Sequence, residues 1–239
     1  MSGIYPRRMP WVGKQLVPPS SPPAAVWALR QSALAGGVSV PPYNLSFTSN
    51  VLQGDLLLGW IAMSSATGKT VSCSDSQGNT YATAVLTSVN ATDNSIVQCF
   101  FAIAGASGPN TLTFTPSSGT PPSTVVVEEF TPGGTPTAFT ITKDGTNSAV
   151  FTTNTGTPSA GTIPVNNPNE LVVVGLGQTS APFSGTITPG GALVTDQQRI
   201  AAPTFTTAYV LSANAGVAGS FTTSQNRAWD VAGVSFRAV

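Results

Sequence analysis

Histidine is absent from this chain of 239 residues, and charged side chains make up only 8% of it, against a usual quarter. There are two cysteines, and the longest apolar run is LLLGWIAM at 56–63. Each shortage excludes something. Without imidazole there is no Ser-His-Asp or Cys-His nucleophile pair, no HExxH metal site and no histidine acid–base chemistry. Two cysteines cannot build a Cys-rich zinc or iron–sulfur centre. The apolar run has strand length and falls far short of the about 20 residues that a membrane helix requires. An enzymatic reading would rest on nine carboxylates and two lysine–threonine neighbourhoods, and no motif asks for a metal or a cofactor.

What is present points to a folded β-protein. Hydrophobic residues reach 41%, with 24 glycines, 20 prolines and frequent threonine. Low charge with ample apolar content is the opposite of the composition that keeps chains disordered. The length suits one large β-domain or two small ones. Abundant Thr, Gly and Pro favour many short strands separated by turns.

Charge divides the chain unevenly. Residues 1–30 carry Arg7, Arg8, Lys14 and Arg30 and no acid, whereas residues 31–239 carry five basic and nine acidic residues. The early basic residues could begin a secretion signal. Pro18, Pro19, Pro22 and Pro23, however, stand where its apolar segment should run, and Arg30 interrupts AAVWAL. The expectation is therefore cytoplasmic synthesis, with Cys73 and Cys99 as buried free thiols. The proline cluster predicts an extended arm over residues 1–37, partly polyproline II. A short helix from about Pro22 to Ala35 is expected within it, between a Ser-Pro start and the Gly36-Gly37 stop. The arm either folds back on its own body or docks on another chain. Trp11 and Trp27 favour docking, because large aromatics on an extended segment are anchors that need a pocket. The expected partner contacts are Arg7, Arg8, Trp11, Lys14, Trp27 and Arg30. So few charges do not indicate nucleic acid.

From residue 38 to 239 the pattern is strand after strand with no convincing helix. In TLTFT (111–115), Leu112 and Phe114 share one face and the threonines take the other. STVVVEEF (123–130) and NELVVVGLG (169–177) are continuously apolar in character, as strands covered on both faces are. The fold class expected is all-β: an antiparallel β-sandwich or jelly roll with an extended N-terminal arm. An internal echo accompanies the strands. GDLLLGWIAMSS (54–65) matches NELVVVGLGQTS (169–180), FAIAGASGPNTLTFT (101–115) matches YVLSANAGVAGSFTT (209–223), and STVVVEEF matches WDVAGVSF (229–236). Two halves with one strand order suggest two Greek keys closing a single sandwich, hence one body domain.

Candidate chemistry is sparse. ATGKT (66–70) resembles the end of a phosphate loop, but Met63 occupies the first glycine position and a strand follows, so a hairpin turn is the better reading. Glu128 and Glu129 are adjacent in a strand and point to opposite faces, unlike the facing pair of a glycosidase; solvation at a strand end is expected for them. DSQGN (75–79) is a turn-forming set, with a single structural cation as the lesser alternative. A sugar site would need exposed aromatics, and Trp229, alternating with Val231, Gly233, Ser235 and Arg237, is the one candidate surface ligand contact.

GDLLLGWIA, VSCSDSQGNTYATAV, CFFAIAGASGPNTLTFT, STVVVEEFTPG, NELVVVGLG and the terminal WDVAGVSFRAV together resemble a family of jelly-roll-like proteins of tailed bacteriophages and some bacteria. The resemblance covers most of residues 45–238 and leaves out the arm. It implies a head-decoration (cement), fibre or tail protein and transfers no catalytic residue. The resulting expectation is a non-enzymatic virion component, anchored through its arm to the major capsid protein or another virion protein, self-associating or set in a lattice, without nucleic acid or membrane. The alternative is a β-sandwich module that binds a glycan or surface polymer.

Overall fold

The structure, a computed structural model, describes residues 25–179 and 183–239. Sixteen strands run through them, and they fall into two sets of eight. The first set is β1 (Ala28–Val38), β2 (Tyr43–Ser46), β3 (Leu56–Met63), β4 (Val71–Asp75), β5 (Ala82–Leu86), β6 (Ile96–Ile103), β7 (Thr111–Pro116) and β8 (Ser123–Thr131). The second set is β9 (Ile141–Thr155), β10 (Ser159–Ile163), β11 (Glu170–Gln178), β12 (Ile187–Pro189), β13 (Val194–Arg199), β14 (Thr204–Ala213), β15 (Val217–Thr223) and β16 (Arg227–Ala238).

The first set forms a five-stranded sheet, β1-β8-β3-β6-β5, and a three-stranded sheet, β2-β7-β4. The second forms β9-β16-β11-β14-β13 and β10-β15-β12, the same two orders with eight added to every strand number. All pairings are antiparallel. Each set is therefore a complete jelly-roll-type sandwich, in which the fifth strand pairs with the sixth rather than the fourth. The echo in the sequence marks equivalent strands: β3 with β11, β6 with β14, β7 with β15 and β8 with β16. The expectation that two halves close one sandwich is corrected here, because each half closes its own.

The two sandwiches then stack through their five-stranded sheets, with β1 lying over β13 and β5 over β9. Alternation along the central strands explains why. In β3, Leu57, Ile61 and Met63 fill the core of the first sandwich. The alternate residues Leu56, Leu58, Trp60 and Ala62 enter a middle core shared with Leu171, Val173, Phe205 and Phe236 of the second. Val172, Val174 and Leu176 of β11 face the interior of their own sandwich. Every residue of β3 and β11 is buried, as continuous apolar runs require. Four layers separated by three spacings of about 10 Å result.

Counterpart residues meet in the middle. A Cβ placed on Gly175 would lie 2.8 Å from Trp60, its own equivalent in the other repeat, and one on Gly177 would lie 3.2 Å from its equivalent Ala62. A residue facing its own counterpart marks a two-fold relation, so a pseudo-two-fold axis runs between β3 and β11. Two indoles could not share that position, and the large–small pair Trp60/Gly175 fits where two copies would collide.

The helix expected over Pro22–Ala35 is replaced, within the described residues, by β1. Its Ala- and Leu-rich sequence has helical propensity, but β1 pairs with β8 from Ala28↔Thr131 to Val38↔Ser123, and tertiary pairing overrides a weak local preference. The body thus includes residues assigned to the arm. Among the described residues no helix is long and apolar enough to cross a membrane.

Candidate functional site

Of the six residues expected to grip a partner, Arg7, Arg8, Trp11 and Lys14 lie outside the described residues. The other two are committed to their own chain. Trp27 is 2% exposed and belongs to the middle core, and the preceding Val26 donates its N–H to Pro132 O at 2.9 Å. Arg30 Nε lies 3.3 Å from Asp55 Oδ2 and 3.6 Å from Glu129 Oε1. Docking of Trp27 on another chain is corrected, because its indole lies inside its own body; Arg30 makes an ion pair of the body and keeps a side chain that is 36% exposed.

Trp229 is also corrected. It does share a face with Val231, but that face is the interior of the second sandwich, and the indole is fully buried. It packs edge-on against Phe183 with centroids 5.4 Å apart and donates Nε1–H to Thr155 O at 3.1 Å. The alternation was readable, whereas the β10-β15-β12 sheet covering it was not.

The nine carboxylates are all within the described residues, and each is built into the fold. Glu129 accepts hydrogen bonds from Gln31 and from Leu52 N, while the same glutamine amide oxygen accepts from Ser49 N at 2.8 Å. Asp55 beside it is pushed up to about 7, by burial first and then by the hydrogen bond it shares with Glu129. The attraction of Arg30 is too small to reverse this. The counterpart of Asp55, Glu170, is raised by burial and by sharing with Asp144, and accepts from Asn167 N at 2.8 Å.

Glu128 points the other way, into the space between the sandwiches, and is 1% exposed. Solvation at a strand end, expected for both glutamates, is overturned, since Glu129 is fully buried as well. Glu128 accepts the indole N–H of Trp60 at 3.0 Å and is bonded to Thr207 and to Asp196 of β13. Burial followed by the Asp196 charge raises it well above the usual carboxylate range. Asp196 is raised by burial and accepts from Ser32 at 2.8 Å. Elsewhere along the same interface, Ser95 donates to Asp230, which burial pushes up to about 7. Asp93 accepts from Thr179 N across the repeats.

Asp75 fulfils the turn reading. Its two oxygens accept from Gln77 N, Asn79 N, Asn79 Nδ2, Asn110 Nδ2 and Tyr81 Oη at 2.7–3.1 Å. Burial pushes this carboxyl up, but the donors of Asn110, Asn79 and Tyr81 outweigh it and hold it below its ordinary range. Five N–H and O–H donors aim at the carboxylate, an arrangement that locks the β4–β5 turn onto the β6–β7 loop. Among the described residues no group of three metal-ligating side chains converges.

Surface hollows lie on both sandwiches. One of about 450 Å³ lies between β4 and β5 and is lined by Lys69, Val71, Leu86, Val89, Ile96 and Gln98 among others. The second, of about 330 Å³, is walled by small residues such as Ala192, Ala213, Ala215 and Val217. Neither contains a carboxylate. Cys73 and Cys99 are free. Cys99 is fully buried in the middle core, and burial pushes its thiol up, away from the reactive thiolate. No protein-family model, curated protein or solved structure matches the chain.

Proposed function

We propose that this chain is a non-enzymatic structural component of a bacteriophage virion, a capsid decoration or cement protein or a related head or tail part. One observation carries the reading: all nine carboxylates, the acid–base groups on which a histidine-free enzyme would depend, are spent on holding strands, turns and repeats together. A body built this way keeps its acids in structural contacts. The resemblance over residues 45–238 points in the same direction. The partner is then the major capsid protein or another virion protein, and the attachment falls to residues 1–24, with Arg7, Arg8, Trp11 and Lys14. The glycan-binding alternative is not carried forward, because the indole it relied on is inside the second sandwich.

The test is a truncation that begins at Ala25, leaving Trp27 and β1 in place, compared with the full chain in co-sedimentation with virions stripped of the protein. The truncated chain is expected to keep its unfolding midpoint and lose attachment. Undiminished attachment by the truncated chain would overturn the reading.

A further inference from the structure

The buried carboxyl groups are not scattered: several lie on the plane where one sandwich meets the other, and one pair spans it. Glu128 projects from β8 of the first repeat and Asp196 from β13 of the second. Ser32, which stands opposite Glu128 in the β1–β8 ladder, donates to Asp196 at 2.8 Å, so the two carboxyls belong to one cluster in which each is bonded to the other. Two carboxyl groups can make that bond only if a proton lies between them. The remaining oxygens are supplied with donors: Trp60 Nε1 and Thr207 toward Glu128, and Ser32 toward Asp196. Gln197 Nε2 fixes that serine by donating to its Oγ at 2.7 Å.

The surroundings offer no compensating cation. Among the described residues, the ion pairs are those of Arg30 with Asp55 and Glu129, and neither involves this pair. From β6 the nearest titratable group is the Cys99 thiol, and from β14 the Tyr209 phenol, both pushed further up by the negative charge of Glu128. Lys143 of β9 lies toward Cys99 but donates to Ala84 O at 3.2 Å. Arg199 of β13 lies against Gly36 and Gly37 of β1 and reaches Ala202 O. At the other pole of the interface, Asp230 is paired with Ser95 and faces the charge of Asp93, a like charge and not a cation.

We propose that Glu128 and Asp196 act as a proton-dependent latch between the two sandwiches: with one proton shared they bind the repeats, and when that proton is lost the repeats loosen along their common face. The step is a simple deprotonation, with the proton leaving to solvent and no other bond changing. Its energetics follow from linkage. The closed interface holds the proton, whereas in the opened one both carboxyls titrate in their ordinary range. Above that range the opening equilibrium therefore gains up to about tenfold for every unit of pH. A body locked under mildly acidic conditions and looser in alkaline ones is the consequence.

Cys99 supplies the readout, because it is sealed in the middle core and becomes reactive only when the sandwiches part. The experiment uses the full chain with Cys73→Ser, so that one thiol remains, and measures the rate of labelling by a small maleimide from pH 5.5 to 9. The rate is compared at each pH with that of the same protein carrying Glu128→Gln, whose amide donates to Asp196 without a titrating proton. The titrations of Asp55 and Asp230 are common to both proteins and cancel in the ratio, and the thiolate contribution, which Glu128 itself affects, is removed by dividing each rate by that of the same protein unfolded in urea at the same pH. The proposal predicts a ratio, parent over variant, that climbs by about tenfold or more across the range. Asp196→Asn serves as the second variant and is expected to give the same slope. A ratio independent of pH, whatever its absolute value, would overturn the latch.

Discussion

Replacing Gly175 by alanine tests the stacking of the two sandwiches at its tightest point. The new Cβ would stand 2.8 Å from Trp60 Cζ3, 3.0 Å from Cε3 and 3.1 Å from Phe205 Cζ, where carbon atoms prefer about 3.5–4.0 Å. Trp60 has no room to withdraw: it is fully buried, its indole N–H is held by Glu128, and its ring packs 6.2 Å from that of Phe205. Overpacking of this kind costs about 1–3 kcal/mol, and so rigid a neighbour argues for the upper end. The backbone at Gly175 does not occupy the left-handed region. Alanine therefore returns about 0.4–1 kcal/mol by restricting the unfolded chain. The net loss is about 2 kcal/mol, which for a chain of this size lowers Tm by roughly 4–8 °C. Urea unfolding followed by circular dichroism measures it, and a cycle with Trp60→Leu isolates the cause. Removing the indole relieves the clash, so Gly175→Ala is expected to cost almost nothing in the Trp60→Leu background, a coupling of about 2 kcal/mol. Additive costs would refute face-to-face stacking through this pair.

Other expectations concern the carboxylates. Asp75→Ala removes the acceptor of five hydrogen bonds and strands the donors of Asn79 and Asn110; a loss of about 2–3 kcal/mol is expected, read by urea unfolding, and a loss under 0.5 kcal/mol would show the turn to be held otherwise. Stability should also fall as pH rises from about 4 to about 7. Asp230 keeps its proton in the folded state up to about 7 and releases it near 3.8 when unfolded, so folding binds protons in this window and each unit of pH works against it. The full displacement corresponds to about 4 kcal/mol, and Asp230→Asn should flatten that part of the curve. Asp75 and Asp144, held below their ordinary range, act with the opposite sign but only at lower pH. Stability that increases between pH 5 and 8 would contradict the assignment.

Much of this architecture could be read from local pattern. Strict alternation in TLTFT put Leu112 and Phe114 on one face, which is the core side of the first sandwich, and uninterrupted apolar runs identified β8 and β11 as strands with two covered faces. The echo between halves marks the equivalent strands. What escaped depended on contacts distant in sequence. The segment forming β1 has the composition of a helix, and only the open edge of β8 makes it a strand. The alternation of Trp229 shows which residues share its face, but the sheet covering that face comes from segments elsewhere in the chain. Glu128 and Asp196 have no common motif. Their meeting follows from the stacking of two sandwiches, which periodicity within one strand does not specify.

Imaging of purified virions at a resolution that separates β-sheets tests the functional reading most directly. The account predicts a four-layered block of two stacked sandwiches on the outer surface of the particle, oriented so that Ala25 faces the underlying lattice and residues 1–24 lead into it. A particle that lacks the block, or carries it with Ala25 turned away from the shell, would contradict the account.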